Sequence, residues 1–240
     1  MIVLVTGGSS GLGEAITRLI AQQPGHTVYF TYNSSAANAQ KIEANHSNAI
    51  AIKCDFKDDA EVESLKAKIS ELQIDVLINN AYGGEAIKTY FHKIPAQDFV
   101  ADFKDNLLPT IILTQAAITV FRKKKFGKII NVLTSFIINN PPIGSSVYVA
   151  NKAYLEELSK AWASENAKYN ITSNSISPAF MSTGFTKDVD ERIIEQITEA
   201  HPLKAILTPN EAAESVLFLL NATQQINGIN LIINSGVNIK

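Results

Sequence analysis

Seven short apolar runs, separated by longer stretches of helical periodicity, set the limits on how this chain can fold. The runs cover 2–6, 27–32, 49–54, 76–79, 128–133, 172–177 and 229–233. They are rich in Ile and Val and apolar nearly throughout rather than alternating, the pattern of strands covered on both faces. Between them, helical patterns span 12–22, 35–44, 58–71, 98–125, 146–169 and 210–220. Asp58 and Asp59 precede the apolar positions Val62, Leu65 and Ile69, and Pro209-Asn210-Glu211 opens the last pattern, as helix starts do. Strand–helix alternation along a whole chain implies parallel pairing through right-handed crossovers. The expectation is one α/β domain over residues 1–240, a doubly wound Rossmann-type sheet of about seven parallel strands with helices on both faces.

Two segments, 82–95 and 182–208, fit no regular element. Both follow the carboxyl ends of strands, where open α/β sheets bind ligands. The second is expected to be a substrate lid.

Composition narrows the chemistry. Lys plus Arg is 21 and Asp plus Glu is 23, a net charge of −2. Such a chain has no overall attraction to nucleic acid or anionic lipid. One cysteine, Cys54, excludes an internal disulfide, and four scattered histidines make a metal centre unexpected. No apolar run is long enough to span a membrane, and residues 1–13 lack the basic start of a signal peptide, so a cytoplasmic location is expected. The basic run Arg122-Lys123-Lys124-Lys125 closes a helical pattern, where it complements the helix dipole. The alternative is a patch that docks a partner.

Thr6-Gly7-Gly8-Ser9-Ser10-Gly11-Leu12-Gly13 follows the first strand and opens the first helix. Glycine lets such a turn take positive φ and lets backbone N–H groups approach a diphosphate. Gly7, Ser9, Ser10, Gly11, Leu12 and Gly13 are therefore candidate cofactor contacts, with Gly13 allowing close helix packing. The spacing is Gly-x3-Gly-x-Gly rather than Gly-x-Gly-x-x-Gly, and no Gly-Lys-Ser/Thr follows, which excludes a P-loop.

The end of the second strand discriminates between nicotinamide cofactors: an acid binds a ribose 2′-hydroxyl, an arginine a 2′-phosphate. Tyr32, Asn33 and Ser34 stand there and provide neither. Without a carboxylate to repel a 2′-phosphate, NADP(H) is favoured over NAD(H). Asp55, with Phe56 beside it, is placed to accept from an adenine amino group; the alternative is a turn or capping aspartate.

Tyr148 and Lys152 stand four residues apart in a helical pattern, hence on one face. A nearby ammonium favours a phenolate, which makes such a pair an adjustable proton donor. Ser135 ends a buried strand thirteen residues earlier, where a hydroxyl can polarise a carbonyl oxygen. Asn106 lies mid-helix, an unfavourable place for asparagine, and Pro109 follows closely. It is either a solvated helix residue or the mark of a kink that offers a carbonyl to a water linked to Lys152.

In these motifs the chain resembles the short-chain dehydrogenase/reductases, from Met1 to the C-terminus. Residues 6–13 resemble that family's glycine motif, and Asn79-Asn80-Ala81 its Asn-Asn-Ala-Gly motif, with Asn80, Ala81 and Tyr82 beside the cofactor. Asn106, Ser135, Tyr148 and Lys152 match its catalytic tetrad, and Pro178 with Thr183 its Pro-Gly-x-x-x-Thr segment, whose threonine bonds the nicotinamide carboxamide. The resemblance implies hydride transfer to a carbonyl held by Ser135 and protonated by Tyr148. Lys152 would depress the Tyr148 pKa and bond the nicotinamide ribose, and Asn106 would complete a water relay. Four positions depart from the pattern: Tyr82 for glycine, Ala179 for glycine, Asn234-Ser235-Gly236 for Asp/Asn-Gly-Gly, and Ala205 for a frequent arginine.

Within the family the chain most resembles 3-oxoacyl-acyl-carrier-protein reductases, as in Phe126-Gly127-Lys128-Ile129-Ile130-Asn131. That implies a β-keto thioester on an acyl carrier protein, met by Lys123, Lys124 and Lys125. The apolar loop 136–143 would hold the acyl chain or simply pack beneath the lid. A homotetramer or homodimer through the helical stretches 98–125 and 146–169 is also implied. Three readings follow: an NADPH-dependent thioester reductase, a family enzyme for a free alcohol, sugar or small ketone, and a non-catalytic cofactor-binding sensor.

Overall fold

Strand β1 (Ile2–Val5) lies at the centre of the sheet, paired in parallel with β2 (Thr27–Tyr32) on one side and β4 (Val76–Asn79) on the other. With β3 (Ala49–Lys53), β5 (Gly127–Val132), β6 (Ile171–Pro178) and β7 (Asn230–Ile233) it forms one 7-stranded sheet in the order β3-β2-β1-β4-β5-β6-β7, every pair parallel. The computed structural model describes residues 1–83, 89–138, 140–186 and 189–237, with Phe185 described in its backbone only.

Both faces of the sheet are covered, which is why the strands carry no polar stripe. Val3 and Val5 point into a core closed by α1 (Gly11–Ala21), α2 (Ala36–Asn45) and α8 (Pro209–Asn221), with Ile16, Phe30 and Val216 among its members. Leu4 points the other way, into a core shared with Leu77, Leu113, Phe121 and Trp162 under α3 (Asp59–Leu72), α5 (Leu108–Lys124) and α6 (Ser146–Asn166). Alternate residues of one strand thus serve opposite cores. Each such fully buried Leu, Ile or Phe contributes roughly 1.5–3 kcal/mol. Asp58 caps α3 by accepting from the N–H groups of Ala60 and Glu61, and Thr208 with Glu211 forms a capping box on α8.

Three elements differ from the sequence expectation. The stretch 98–125 is not one helix. It divides into α4 (Ala96–Asp102), a π-helical turn Phe103–Leu107 and α5. The cause is local: Asn106 bonds sideways, and Pro109, which has no N–H, takes a place at the start of α5 where none is needed. The stretch 146–169 ends as a helix at Asn166, followed by a 3₁₀ turn Ala167–Tyr169 and left-handed Asn170. Finally, 182–208 is not irregular throughout: α7 (Glu191–Ala200) crosses it, capped by Asp190 accepting from Arg192 N–H at 2.8 Å. In 82–95, Phe91–Lys93 form a 3₁₀ turn and residues 84–88 lie outside the described residues.

The basic run sits where α5 ends. Arg122 donates to Asn166 Oδ1 at 2.8 Å and stacks over Tyr169. Lys124 donates to Gln73 O at 2.7 Å and pairs with Asp75. Asp75 precedes β4, so this cluster lies at the amino ends of the strands. The run thus closes the last turn of α5, the placement expected of charges that complement the helix dipole. Among the described residues no helix is long and apolar enough to cross a membrane, and no group of three His, Cys, Asp or Glu side chains is placed to hold a metal.

Candidate active site

The sheet changes its direction of growth between β1 and β4, and a cleft of about 500 Å³ opens past the carboxyl ends of the strands there. This is the topological switch point at which open α/β sheets bind ligands. Its floor is the turn between β1 and α1. Thr6 Oγ1 accepts from the N–H groups of Asn80 and Ala81, each at 3.0 Å, and Asn80 Nδ2 donates to Thr6 O and Gly7 O. The ends of β1 and β4 are thereby clamped together. Gly7 has φ of +65°, and a Cβ there would lie 3.0 Å from Ala81 Cα. A Cβ on Gly13 would lie 2.0 Å from Gly7 O, so the helix can start over the turn only with glycine at that position. Ser10, Gly11, Leu12 and Gly13 at the head of α1 line the cleft, and the start of a helix suits a diphosphate.

Gly7, Ser9, Ser10, Gly11, Leu12, Gly13, Tyr32, Asn33, Ser34, Asp55, Phe56, Asn80, Ala81, Tyr82, Tyr148, Lys152, Pro178 and Thr183 all line this one cleft. Its volume of about 500 Å³ and its run of lining residues from the glycine turn to Tyr148 and Lys152 fit a dinucleotide. Asn33 and Ser34 are exposed at its rim. Asp55 Oδ1 accepts from Lys57 N–H at 2.9 Å, so the turn role foreseen for it is present while its side chain still borders the cleft. Thr183 approaches within 3.5 Å of the position a Gly11 Cβ would take, which brings the 181–186 segment down onto the glycine turn. Thr186 Oγ1 ties that segment by donating to Met181 O and accepting from Thr183 N–H.

Lys152 is buried, 7% exposed, and donates to Val132 O at 2.7 Å. Burial lowers its pKa to about 8, and the negative charge of Asp102 pulls the other way. Its Nζ lies 5.8 Å from the Tyr148 ring centre and 5.5 Å from that of Tyr82. Burial pushes the Tyr148 phenol up to about 12, and a hydrogen bond with Thr134 lowers it. The sequence expectation was a phenol made more acidic by the ammonium; in this structure burial outweighs that effect, and the opposing influence comes from Thr134. Ser135 opens the 3₁₀ turn Ser135–Ile137 and is 2% exposed, while its neighbours Leu133, Thr134 and Phe136 form the cleft wall. Sequence spacing did not single out Thr134, which lies two residues past the end of β5 and caps the 3₁₀ turn by accepting from Phe136 N–H.

Asn106 is 5% exposed and lies in the π-helical turn, a distortion that recurs at functional sites. The kink anticipated from Asn106 and Pro109 is present, but the groups are used differently. Asn106 O accepts from Thr110 Oγ1 at 3.1 Å; the side chain accepts from Gly83 N–H at 2.5 Å and donates to Asp102 Oδ1 at 3.1 Å. Beside it, Asn79, Tyr82, Asn151 and Lys152 border a cavity of about 10 Å³, space for about one water molecule. Asn79 Oδ1 is buried there without a hydrogen-bond donor among the described residues. Of the loop 136–143, Phe136 lines the cleft, Ile137 packs on the core, Ile143 is 80% exposed, and residue 139 lies outside the described residues.

Residues 7–238 match the family described as Enoyl-(Acyl carrier protein) reductase. The chain belongs to the short-chain dehydrogenase/reductase family. It is 32% identical over 239 residues to the 3-oxoacyl-acyl-carrier-protein reductase FabG of Rickettsia typhi, covering 98% of this chain and 95% of that protein. It is 30% identical over 240 residues to Carbonyl reductase family member 4 of Xenopus laevis, covering 99% and 98%. A short-chain dehydrogenase from Burkholderia cenocepacia, solved in complex with NADP, superimposes with a TM-score of 0.84 at 27% identity, covering 98% of this chain and 96% of that one.

As a short-chain dehydrogenase/reductase, the chain is an oxidoreductase, and one of its departures stands directly beside Tyr148. Tyr82 is the side chain that the sequence places where the motif has glycine. Its ring meets that of Tyr148 edge-on, centroids 5.1 Å apart, and its hydroxyl reaches both carboxylate oxygens of Asp102, at 2.8 and 2.9 Å. Burial and the nearby carboxylate push the Tyr82 phenol well above its ordinary range, so it stays protonated and donates. Asp102 was not foreseen as a site residue.

Proposed function

We propose that this protein reduces the 3-oxo group of an acyl thioester borne on an acyl carrier protein to a secondary alcohol, with NADPH as reductant. The observation that carries the reading is Tyr148 and Lys152 on the same cleft as the glycine turn, between the nucleotide floor and the 181–186 segment. The full-length likeness to a 3-oxoacyl-acyl-carrier-protein reductase supports the substrate class. The rim residues Asn33 and Ser34, which bring no carboxylate near a 2′-phosphate, support NADP(H).

Reduced nicotinamide, when bound, supplies the hydride. The chain's own residues supply position and a proton. Ser135 and Thr134 hold the carbonyl oxygen and the Tyr148 hydroxyl in register. Tyr148 gives its proton to the oxygen as the carbon is reduced. Lys152, fixed by Val132 O, orients the ribose end and steadies the phenolate left behind. Tyr148 regains its proton along Lys152 and the one-water cavity beside Asn106 and Asn79. The exposed apolar side chains Val100, Leu108 and Tyr154 on α4, α5 and α6 support assembly as a homodimer or homotetramer through that face.

One observation favours a second reading, a free ketone as substrate: the only basic run lies at the far end of the sheet from the cleft. Loss of reduced-nicotinamide absorbance separates the readings. Acetoacetyl thioester on carrier protein is compared with free ketones, sugars and a crotonyl thioester, each with NADPH and NADH. The fastest turnover is expected on the carrier-bound 3-oxo substrate with NADPH. Faster turnover of a free ketone or of the crotonyl thioester overturns the substrate, and undiminished turnover by Tyr148→Phe overturns the mechanism.

A further inference from the structure

We propose that Tyr82 and Asp102 are positioning residues for the Tyr148–Lys152 pair: Asp102 anchors the Tyr82 ring against Tyr148 and supplies the counter-charge to the buried Lys152 ammonium. This rests on the function proposed above only for its kinetic part.

Among the described residues the donors to this carboxylate are all neutral. Asp102, the last residue of α4, accepts from Tyr82 Oη at 2.8 and 2.9 Å, Asn106 Nδ2 at 3.1 Å and Asn151 Nδ2 at 2.6 Å. The donors come from three different segments: the chain after β4, the π-helical turn and α6. Among the described residues no Lys or Arg stands within ion-pair distance of Asp102. Its charge is therefore not cancelled locally, and in a partly buried setting it acts beyond its immediate bonds. Asn151 precedes Lys152 in α6, so the carboxylate is bonded to the helix that carries the ammonium.

Lys152 needs such a partner. A buried ammonium is costly unless it is bonded and balanced. Its one hydrogen bond among the described residues goes to a neutral carbonyl. Among the described residues the titratable groups facing it are Tyr148 from its own helix, Tyr82 from the segment after β4 and Asp102 from α4, and β5 contributes the Val132 carbonyl. Of these, Asp102 is the one carrying negative charge. The rings of Tyr82 and Tyr148 also present themselves to the ammonium, a favourable contact for a cation. Asp102 ties the Tyr82 hydroxyl and so helps to hold the ring in that place.

Two variants test the two halves. Asp102→Asn keeps the shape and removes the charge. In cofactor-free protein, ¹⁵N titration of the Lys152 ammonium, assigned with Lys152→Met, is expected to show its midpoint fall by about half a unit or more. The high-pH limb of the kcat profile should move down with it, with the cofactor Kd unchanged. Tyr82→Phe keeps the ring and frees it from Asp102, and kcat should fall roughly 3- to 10-fold at unchanged KM. An Asp102→Asn protein that is folded by circular dichroism with the Lys152 midpoint of the wild type overturns the charge role. Tyr82→Phe with wild-type kcat overturns the anchor, and it decides the matter alone if Asp102→Asn does not fold. A lowered midpoint in a protein that reduces no carbonyl would leave this inference standing and the proposed function fallen.

Discussion

The Tyr82 and Tyr148 rings meet at 81°, edge to face, with 5.1 Å between centroids. One is the proton donor of the proposed reaction, and the other occupies a position where the family motif has no side chain. The second ring forms part of the wall beside the reacting hydroxyl, so the outlook of Tyr148 is set by a residue outside the tetrad.

Thr134 and Ser135 are adjacent and differ in what they face. Thr134→Val removes the hydrogen bond that favours the Tyr148 phenolate. The rise of kcat with pH in the alcohol-oxidising direction should then shift to higher pH, with a loss of about tenfold near neutrality, the worth of one hydrogen bond. Ser135→Ala should lower kcat without that shift. Full pH profiles of both variants check the division of labour.

Lys152→Met is expected to abolish turnover and to stabilise the fold. The lysine titrates at about 8 in the folded chain against 10.5 when free. Between those values the unfolded state binds more protons, so wild-type stability rises with pH there. The burial penalty is full below about 8 and gone above 10.5. The variant should therefore melt about 2–4 °C higher at pH 7, with the gain vanishing at strongly alkaline pH. Thermal melts across pH measure it, and a variant that melts lower at pH 7 sinks the argument.

Gly13→Ala would place a methyl 2.0 Å from Gly7 O. The head of α1 must shift, at about 2 kcal/mol or more. The expected result is a lower Tm together with loss of NADPH binding, read by quenching of Trp162 fluorescence. Gly25→Ala, where a Cβ meets nothing within 4 Å but φ is +80°, should lower Tm and leave binding intact.

Asn33→Asp puts a carboxylate at the exposed rim beside the end of β2. It should reverse cofactor preference, lowering the NADPH to NADH ratio of kcat/KM by roughly tenfold or more, since an acid at this position repels a 2′-phosphate. An unchanged ratio would place the discriminating contacts elsewhere.

The strands could be read from the sequence because burial on both faces writes an uninterrupted apolar run, as at Ile129 and Ile130. The glycine turn was legible because its conformation admits few residues. The break before α5 was only half legible: Asn106 and Pro109 hinted at a kink, but the pattern over 98–125 read as one helical stretch. Helix α7 was missed although Asp190, Glu191 and the spacing of Ile193, Ile194 and Ile197 signal it. Its loose packing, with no fully buried residue, makes its pattern easy to pass over. The Asp102 cluster could not have been read: Tyr82, Asp102 and Asn151 are distant in sequence, and only the folded backbone brings them together. Nor could a sequence separate Thr134 from Ser135, because which of two neighbouring hydroxyls faces the cleft depends on where the strand stops.

The placement of Lys123 and Lys125 at the amino edge of the sheet has a practical outcome. Amine-directed coupling to a resin or electrode through these two side chains would leave the nucleotide mouth pointing into solution, so an immobilised preparation should retain its turnover.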